Sequence, residues 1–287
     1  MWQYSQSGKI DGISGNVDLN YYYKSNPINI SKTTINTISN QKYTGSKITP
    51  NVIVKYNNKT LVKNTDYTIS FKNNTSIGTA TITIKGKGNY TGTKTITFKI
   101  VPKTVTKHKI SSTTSSSIKL SWSKVSNADG YKIYRSTSKN GTYTKIKDIT
   151  KNSTLNYTNS NLYSNKKYYY KIKSFKTSKG KKYYSYYSDI IKGETKLSTP
   201  TVKLSTPKSK SIKVSWNKIP GAKGYEVYRA TSKSGPYSKR TTTSNLSYTN
   251  TKLTKNKNYY YKVKAYKVVN GKKVYSSYSS IKSITSK

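Results

Sequence analysis

Cysteine is absent from the 287 residues, which excludes a disulfide framework and every thiolate-based zinc site. Histidine occurs once, so imidazole catalysis has a single candidate, His108. Acids are almost as scarce: eight Asp and Glu stand against 54 Lys and Arg, a formal net charge of +46. Only Arg135, Arg229 and Arg240 are arginines, so the chain is a lysine polycation. No run approaches the ~18 apolar residues of a membrane span. The N-terminus lacks a basic segment followed by an apolar stretch, so neither a transmembrane helix nor a signal peptide is expected. The helix formers Ala and Glu are rare.

What is present replaces them. Hydrophobic residues reach 32%, low enough with this charge to suggest disorder, yet Tyr supplies 30 of the aromatics against three Phe and three Trp. Tyrosine therefore takes the core places of Leu and Phe. With Thr, Ile and Val beside it, an all-β protein is expected, and the length suggests two or three domains. Abundant Lys, Asn, Ile and Tyr also matches A/T-rich coding, a source of charge independent of function.

Internal repetition is the strongest signal. Ser-Ile-Lys-Leu-Ser-Trp at 117–122 returns as Ser-Ile-Lys-Val-Ser-Trp at 211–216. Gly-Tyr-Lys-Ile-Tyr-Arg at 130–135 returns as Gly-Tyr-Glu-Val-Tyr-Arg at 224–229. Beyond a loop three residues shorter in the second copy, Leu162 matches Leu253, Tyr168-Tyr169-Tyr170 matches Tyr259-Tyr260-Tyr261, and Lys179-Gly180-Lys181-Lys182 matches Asn270-Gly271-Lys272-Lys273. Two homologous modules follow, 104–196 and 197–287, each with about seven short alternating segments, a β-sandwich pattern.

A Trp closing the second strand, a Gly-Tyr-x-Ile/Val-Tyr-Arg third strand, and a Leu six residues before the first Tyr of an alternating strand together resemble fibronectin type III domains of bacterial surface proteins and wall hydrolases. The resemblance assigns Tyr168 and Tyr259 to the tyrosine corner, whose hydroxyl bonds to upstream backbone, and Trp122 and Trp216 to the core. Residues 28–102 form another module, with alternation in Ala-Thr-Ile-Thr-Ile at 80–84 and Ile-Thr-Phe-Lys-Ile at 96–100. It resembles the Ig-like sandwich repeats of secreted Gram-positive proteins. Its glycines at 86–92 read as turns, because no helix pattern follows to make a phosphate loop.

The first residues differ. Trp2-Gln3-Tyr4-Ser5, Gly8-Lys9-Ile10-Asp11-Gly12-Ile13 and Gly15-Asn16-Val17-Asp18-Leu19-Asn20 resemble the C-terminal end of a glycoside hydrolase family 25 lysozyme, a (β/α)-barrel muramidase. By that resemblance 1–27 is a barrel remnant with its linker, and Asp18 matches an active-site carboxylate. Its acidic partners on earlier strands have no counterpart, and a barrel of ~250 residues does not form from its last strand. Glycoside hydrolysis ordinarily takes two placed carboxyls, so no intact catalytic site is expected. The other acids are scattered, Asp66 and Asp129 as turn residues, and His108 has no acidic neighbour in sequence.

Binding is the better expectation. Alternation puts Tyr168, Tyr170 and Ile172 inward and presents Tyr169, Lys171, Lys173 and Phe175 on the opposite face, with Tyr260, Lys262, Lys264 and Tyr266 equivalent in the second copy. Aromatics alternating with ammonium groups suit sugars or bases beside phosphates, although an exposed sheet face also uses Lys against aggregation. The resemblances imply a non-catalytic wall-binding and spacer region of a secreted or released Gram-positive peptidoglycan hydrolase. That region is expected as an extracellular, wall-associated monomer, engaging peptidoglycan or teichoic acid without metal or cofactor. Alternatives are an active muramidase whose barrel lies upstream, a nucleic-acid-binding protein and a mechanical surface stalk. Few arginines and no recognisable DNA- or RNA-binding motif weigh against nucleic acid.

Overall fold

The structure, a computed structural model, describes residues 26–287 and, before them, the backbone of two strands, Trp2–Gly8 and Val17–Tyr21. These two strands pair antiparallel, with Trp2 opposite Tyr21 and Gly8 opposite Val17. Asp18 lies in the second of them and its side chain is outside the described residues, as is all of Asp11.

The fold is all-β, and no α-helix occurs among the described residues. The strands from 28 onwards gather around three hydrophobic clusters. In the first, the order Gln41–Lys42, Thr93–Val101, Gly78–Gly86, Tyr67–Lys72 makes one sheet, and Thr34–Ile35, Val54–Tyr56, Lys59–Thr60 another. Alternation along Gly78–Gly86 buries Ala80, Ile82 and Ile84 and leaves the intervening threonines half-buried. The glycines at 86–92 serve as turns, Gly88 and Gly92 having φ of +63° and +78°. Asp66 is a turn residue, its carboxylate accepting a hydrogen bond from the Val62 amide at 2.8 Å.

The middle sandwich has a three-stranded sheet, Lys109–Thr113, Ile118–Ser121, Asn156–Asn159. Its second sheet runs Thr144–Ile149, Gly130–Ser136, Lys167–Ser178, and the last strand is broken into Lys181–Tyr184 and Ile191–Glu194, both on Lys167–Ser178. The C-terminal sandwich repeats this: Val202–Ser205, Ile212–Trp216, Ser247–Asn250 opposite Ser238–Thr243, Gly224–Ala230, Asn258–Val269, with Lys272–Tyr275 and Lys282–Thr285 as the broken strand. This is the three-plus-four order of a fibronectin type III-like sandwich.

Building such a core from tyrosine sets a condition. A buried aromatic gains about 2–3 kcal/mol from apolar burial, but an unpaired hydroxyl costs about as much, so each phenol needs a partner. Each copy meets this in the same way. Tyr168 and Tyr259 accept the amides of Tyr163 and Thr254, five residues upstream, at 3.1 and 3.0 Å, which are the two tyrosine corners. Tyr170 and Tyr261, fully buried, accept from buried Asn159 and Asn250 at 3.1 and 2.9 Å. Burial pushes the Tyr170 phenol up to about 12, against the Asn159 bond. Tyr131 and Tyr225 accept the amides of Val125 and Ile219 and pack against Trp122 and Trp216, which are 4% and 5% exposed.

By contacts the chain forms two compact units, 1–102 with 176–184, and 103–175 with 185–287. Within the first, Tyr183 completes the hydrophobic cluster and shares a 2.9 Å hydrogen bond with Thr79. Within the second, the Lys267 ammonium donates to Glu194 at 2.5 Å and Asn165 at 2.6 Å, tying the two repeats together. That bond, ahead of the opposing effect of burial, holds the Glu194 carboxyl below its ordinary value.

Candidate functional site

The outer faces of the two four-stranded sheets are built from the broken last strand. After Tyr184 the ladder is interrupted, and two serines replace it. Ser185 and Ser188 donate their amides to the carbonyls of Ser174 and Ile172, while their hydroxyls accept the Ser174 and Ile172 amides at 3.0 and 2.9 Å. Ser276 and Ser279 do the same for Ala265 and Val263. The arch between the serines sets Tyr187 and Tyr278 edge-on against Tyr134 and Tyr228, at 5.1 and 5.2 Å between centroids.

The strand lysines lie among these rings. In the middle sandwich the Lys171 ammonium is 4.2 Å from the Tyr143 centroid and the Lys173 ammonium 3.9 Å from that of Tyr187. Burial lowers the Lys173 ammonium from its ordinary value. In the C-terminal sandwich Lys262 is 4.2 Å from both Tyr237 and Tyr278, and Lys264 is 3.7 Å from Tyr275. Such contacts are worth about 0.5–2 kcal/mol each, enough to hold a lysine down on the sheet. Tyr143 and Tyr237 are held by hydrogen bonds to the carbonyls of Lys139 and Lys233.

The two faces differ at Glu226. Glu226 is 2% exposed, and its carboxylate accepts from Tyr228 at 2.8 Å, Tyr275 at 3.0 Å and Lys273 at 3.0 Å, with Lys264 at 3.5 Å. Burial alone raises such a carboxyl. Here the hydrogen bonds from Tyr228, Lys273 and Tyr275 and the Lys264 charge outweigh it and hold Glu226 at about 2. The same carboxylate pushes the Tyr228 phenol up, in addition to burial. The middle sandwich has Lys132 at this position, 3.7 Å from Asp148, which also pairs with Lys145 at 2.7 Å.

Of the eight residues expected on the binding faces, Tyr169, Lys171, Lys173, Tyr260, Lys262, Lys264 and Tyr266 are partly exposed along the two long strands. Phe175 is not: it is 4% exposed. Its cross-strand partner is Gly130, and with no Cβ there the ring lies against the sheet, 3.0 Å from where that Cβ would stand. Tyr266 lies over Gly224 in the same way, with the Lys273 ammonium 4.4 Å above its ring. Tyr143, Tyr187, Tyr237, Tyr278 and Glu226 were not among the expected face residues. Their signal was the repeat itself, which aligns Tyr143 with Tyr237 and Tyr187 with Tyr278. His108 places Nε2 2.9 Å from the backbone carbonyl of Asp189, a structural contact.

No family model matches the chain, and no curated protein matches it. Among solved structures, the two-domain fibronectin type III segment of chicken tenascin is similar to 63% of this chain and 99% of its own, at 18% identity and a TM-score of 0.40. The FN1–FN3 domains of chicken CNTN1 are similar to 72% of this chain and 77% of their own, at 18% identity and a TM-score of 0.33. The likeness concerns the fold. The sandwich type itself rests on the strand order and the two tyrosine corners.

Proposed function

We propose that this chain is the non-catalytic wall-binding and spacer region of a Gram-positive peptidoglycan hydrolase, attaching to the anionic polymers of the wall. The observation that carries the reading is the charge: eight acids cannot neutralise 54 cations. Three of the six described acids are already engaged by lysines of their own chain, Glu226, Glu194 and Asp148, the last with Lys132 and Lys145. The surplus attracts polyanions over long range, whatever the fold. Tandem sandwiches supply length, and tethering raises the local concentration of whatever they are joined to. The lysozyme-like residues at 1–23, with Asp18 at the family's carboxylate position, support wall hydrolysis as the activity being tethered.

The chain is expected to sediment with purified Gram-positive walls and to release no reducing sugar from them. Binding should weaken steeply as salt passes ~0.15 M, where the screening length falls to ~8 Å. Walls stripped of teichoic acid should retain much less protein. Tighter binding to DNA than to walls at matched salt would overturn the reading, and sugar release would show a muramidase.

A further inference from the structure

Lys267 has two partners of different chemistry. Its ammonium donates to the Glu194 carboxylate at 2.5 Å and to the Asn165 side-chain oxygen at 2.6 Å. An ion pair needs only the carboxylate; the amide beside it adds a carbonyl carbon that an amine can attack. A C=O bond is ~1.2 Å long, so Nζ lies no more than about 3.8 Å from that carbon, close to the ~3–3.5 Å of a near-attack arrangement.

The surroundings hold the three side chains in place. Asn165 lies over the bare Gly221, where a Cβ would fall 2.0 Å from Asn165 Nδ2 and 2.9 Å from its carbonyl carbon. The Asn165 backbone amide donates to the carbonyl of Lys196, two residues beyond Glu194, at 3.1 Å. The Lys267 side chain is 16% exposed and that of Glu194 34%, so the amine is largely shielded from water while the acid keeps an edge to it. The acid is particular to this junction. Glu194 is one of only two glutamates in the chain. Where Glu194 stands opposite Lys167, the last repeat has Thr285 opposite Asn258, so that repeat keeps the homologous asparagine, Asn256, without the acid.

We infer that Lys267 and Asn165 join in an isopeptide bond that links the two repeats covalently, with Glu194 as the proton carrier. The Glu194 carboxyl, held below its ordinary value, is ionised and takes a proton from the ammonium. The freed amine attacks the Asn165 carbonyl carbon, and the Cγ–Nζ bond forms. The Cγ–Nδ2 bond breaks, and Nδ2 leaves with its own two protons, one from the amine and the one that Glu194 carried. The product is an ammonium ion, so atoms and charge balance without an oxidant or co-reactant. The remaining Nζ–H still donates to Glu194. Such a bond holds the repeats together whatever the chain attaches to.

The test is the intact mass of the full chain, kept folded at neutral pH until the mass is constant. It should be lower than the sequence mass by one molecule of ammonia. A tryptic digest should contain a branched peptide joining the segment with Asn165 to the segment with Lys267. Lys267→Arg keeps a cation beside Glu194 but replaces the amine with a guanidinium that stays charged, and Asn165→Ala removes the carbonyl carbon under attack. Both should retain the full sequence mass. Glu194→Gln keeps the shape and removes the proton acceptor, and should slow the mass loss roughly a hundredfold, the low end of what a positioned acid–base group supplies. A folded wild-type chain at its full sequence mass would overturn the inference. So would an ammonia loss that persists in Lys267→Arg, which would belong to a succinimide at Asn140-Gly141 or Asn270-Gly271 instead. An unchanged rate in Glu194→Gln would overturn the role given to that residue.

Discussion

Gly130→Ala is expected to destabilise the middle sandwich by about 3 kcal/mol or more, the upper end of what overpacking costs. A Cβ at Gly130 would stand 1.9 Å from the carbonyl oxygen of Ile149 and 3.0 Å from its carbonyl carbon. Both are backbone atoms of the strand that pairs with Gly130–Ser136, so neither can move without opening the ladder. The homologous glycine supplies the control. At Gly224 the three nearest atoms all belong to the Tyr266 ring and hydroxyl, at 2.7 to 2.9 Å, and a half-exposed side chain can swing aside. Gly224→Ala should therefore cost about 1 kcal/mol. Denaturation followed separately at Trp122 and Trp216 would read the two sandwiches apart. Equal losses would mean that the close approach at Ile149 is not the constraint.

The second large effect is expected at Glu226. Glu226→Ala leaves Lys264, Lys273 and two phenols without their acceptor, and removing one partner of a buried ion pair typically costs 3–5 kcal/mol. Lys273 is 38% exposed and can turn to water, which lowers the expectation to about 2–3 kcal/mol. The pH dependence has a definite sign. A carboxyl held at about 2 in the fold, against an ordinary 4.5, contributes stability that is complete above pH 4.5 and is lost as the pH falls towards 2. Wild-type unfolding midpoints of the C-terminal sandwich should fall across that window. Those of Glu226→Gln should fall less, and the remaining fall, shared by the middle sandwich, belongs to Glu194, which Lys267 holds below its ordinary value. A parallel acid response in Glu226→Gln would assign the effect to other carboxyls.

These two sites mark how far the sequence was legible. The repeat and the alternation of the long strands as far as Lys173 could be read from spacing, because each depends on residues close in sequence or on a period of two, and the tyrosine corners and core tryptophans followed from the resemblance to fibronectin type III domains. Phe175 could not. Its parity puts it outside, yet it is buried, its ring against the bare Gly130 across the sheet. Nor could Tyr187 and Tyr278, since the Ser-x-x-Ser arch that carries them replaces a ladder that alternation alone assumes continuous. The lysines expected on the outer faces lie beside rings that alternation did not place there. Tyr183 joins the first sandwich's cluster from a hairpin more than eighty residues further along the chain, a contact that no local pattern announces.

The central claim is that attachment to the wall runs through the repeated sheet faces and not through charge alone. The most direct measurement compares two variants of equal charge in the sedimentation assay. One replaces Lys171, Lys173, Lys262 and Lys264 with Gln. The other replaces Lys55, Lys72, Lys85 and Lys99, all exposed on the first sandwich. Each has a net charge of 46 − 4 = +42. The account predicts a markedly greater loss of wall binding in the first variant. Equal losses in the two would contradict it, leaving diffuse electrostatics as the whole of the attachment.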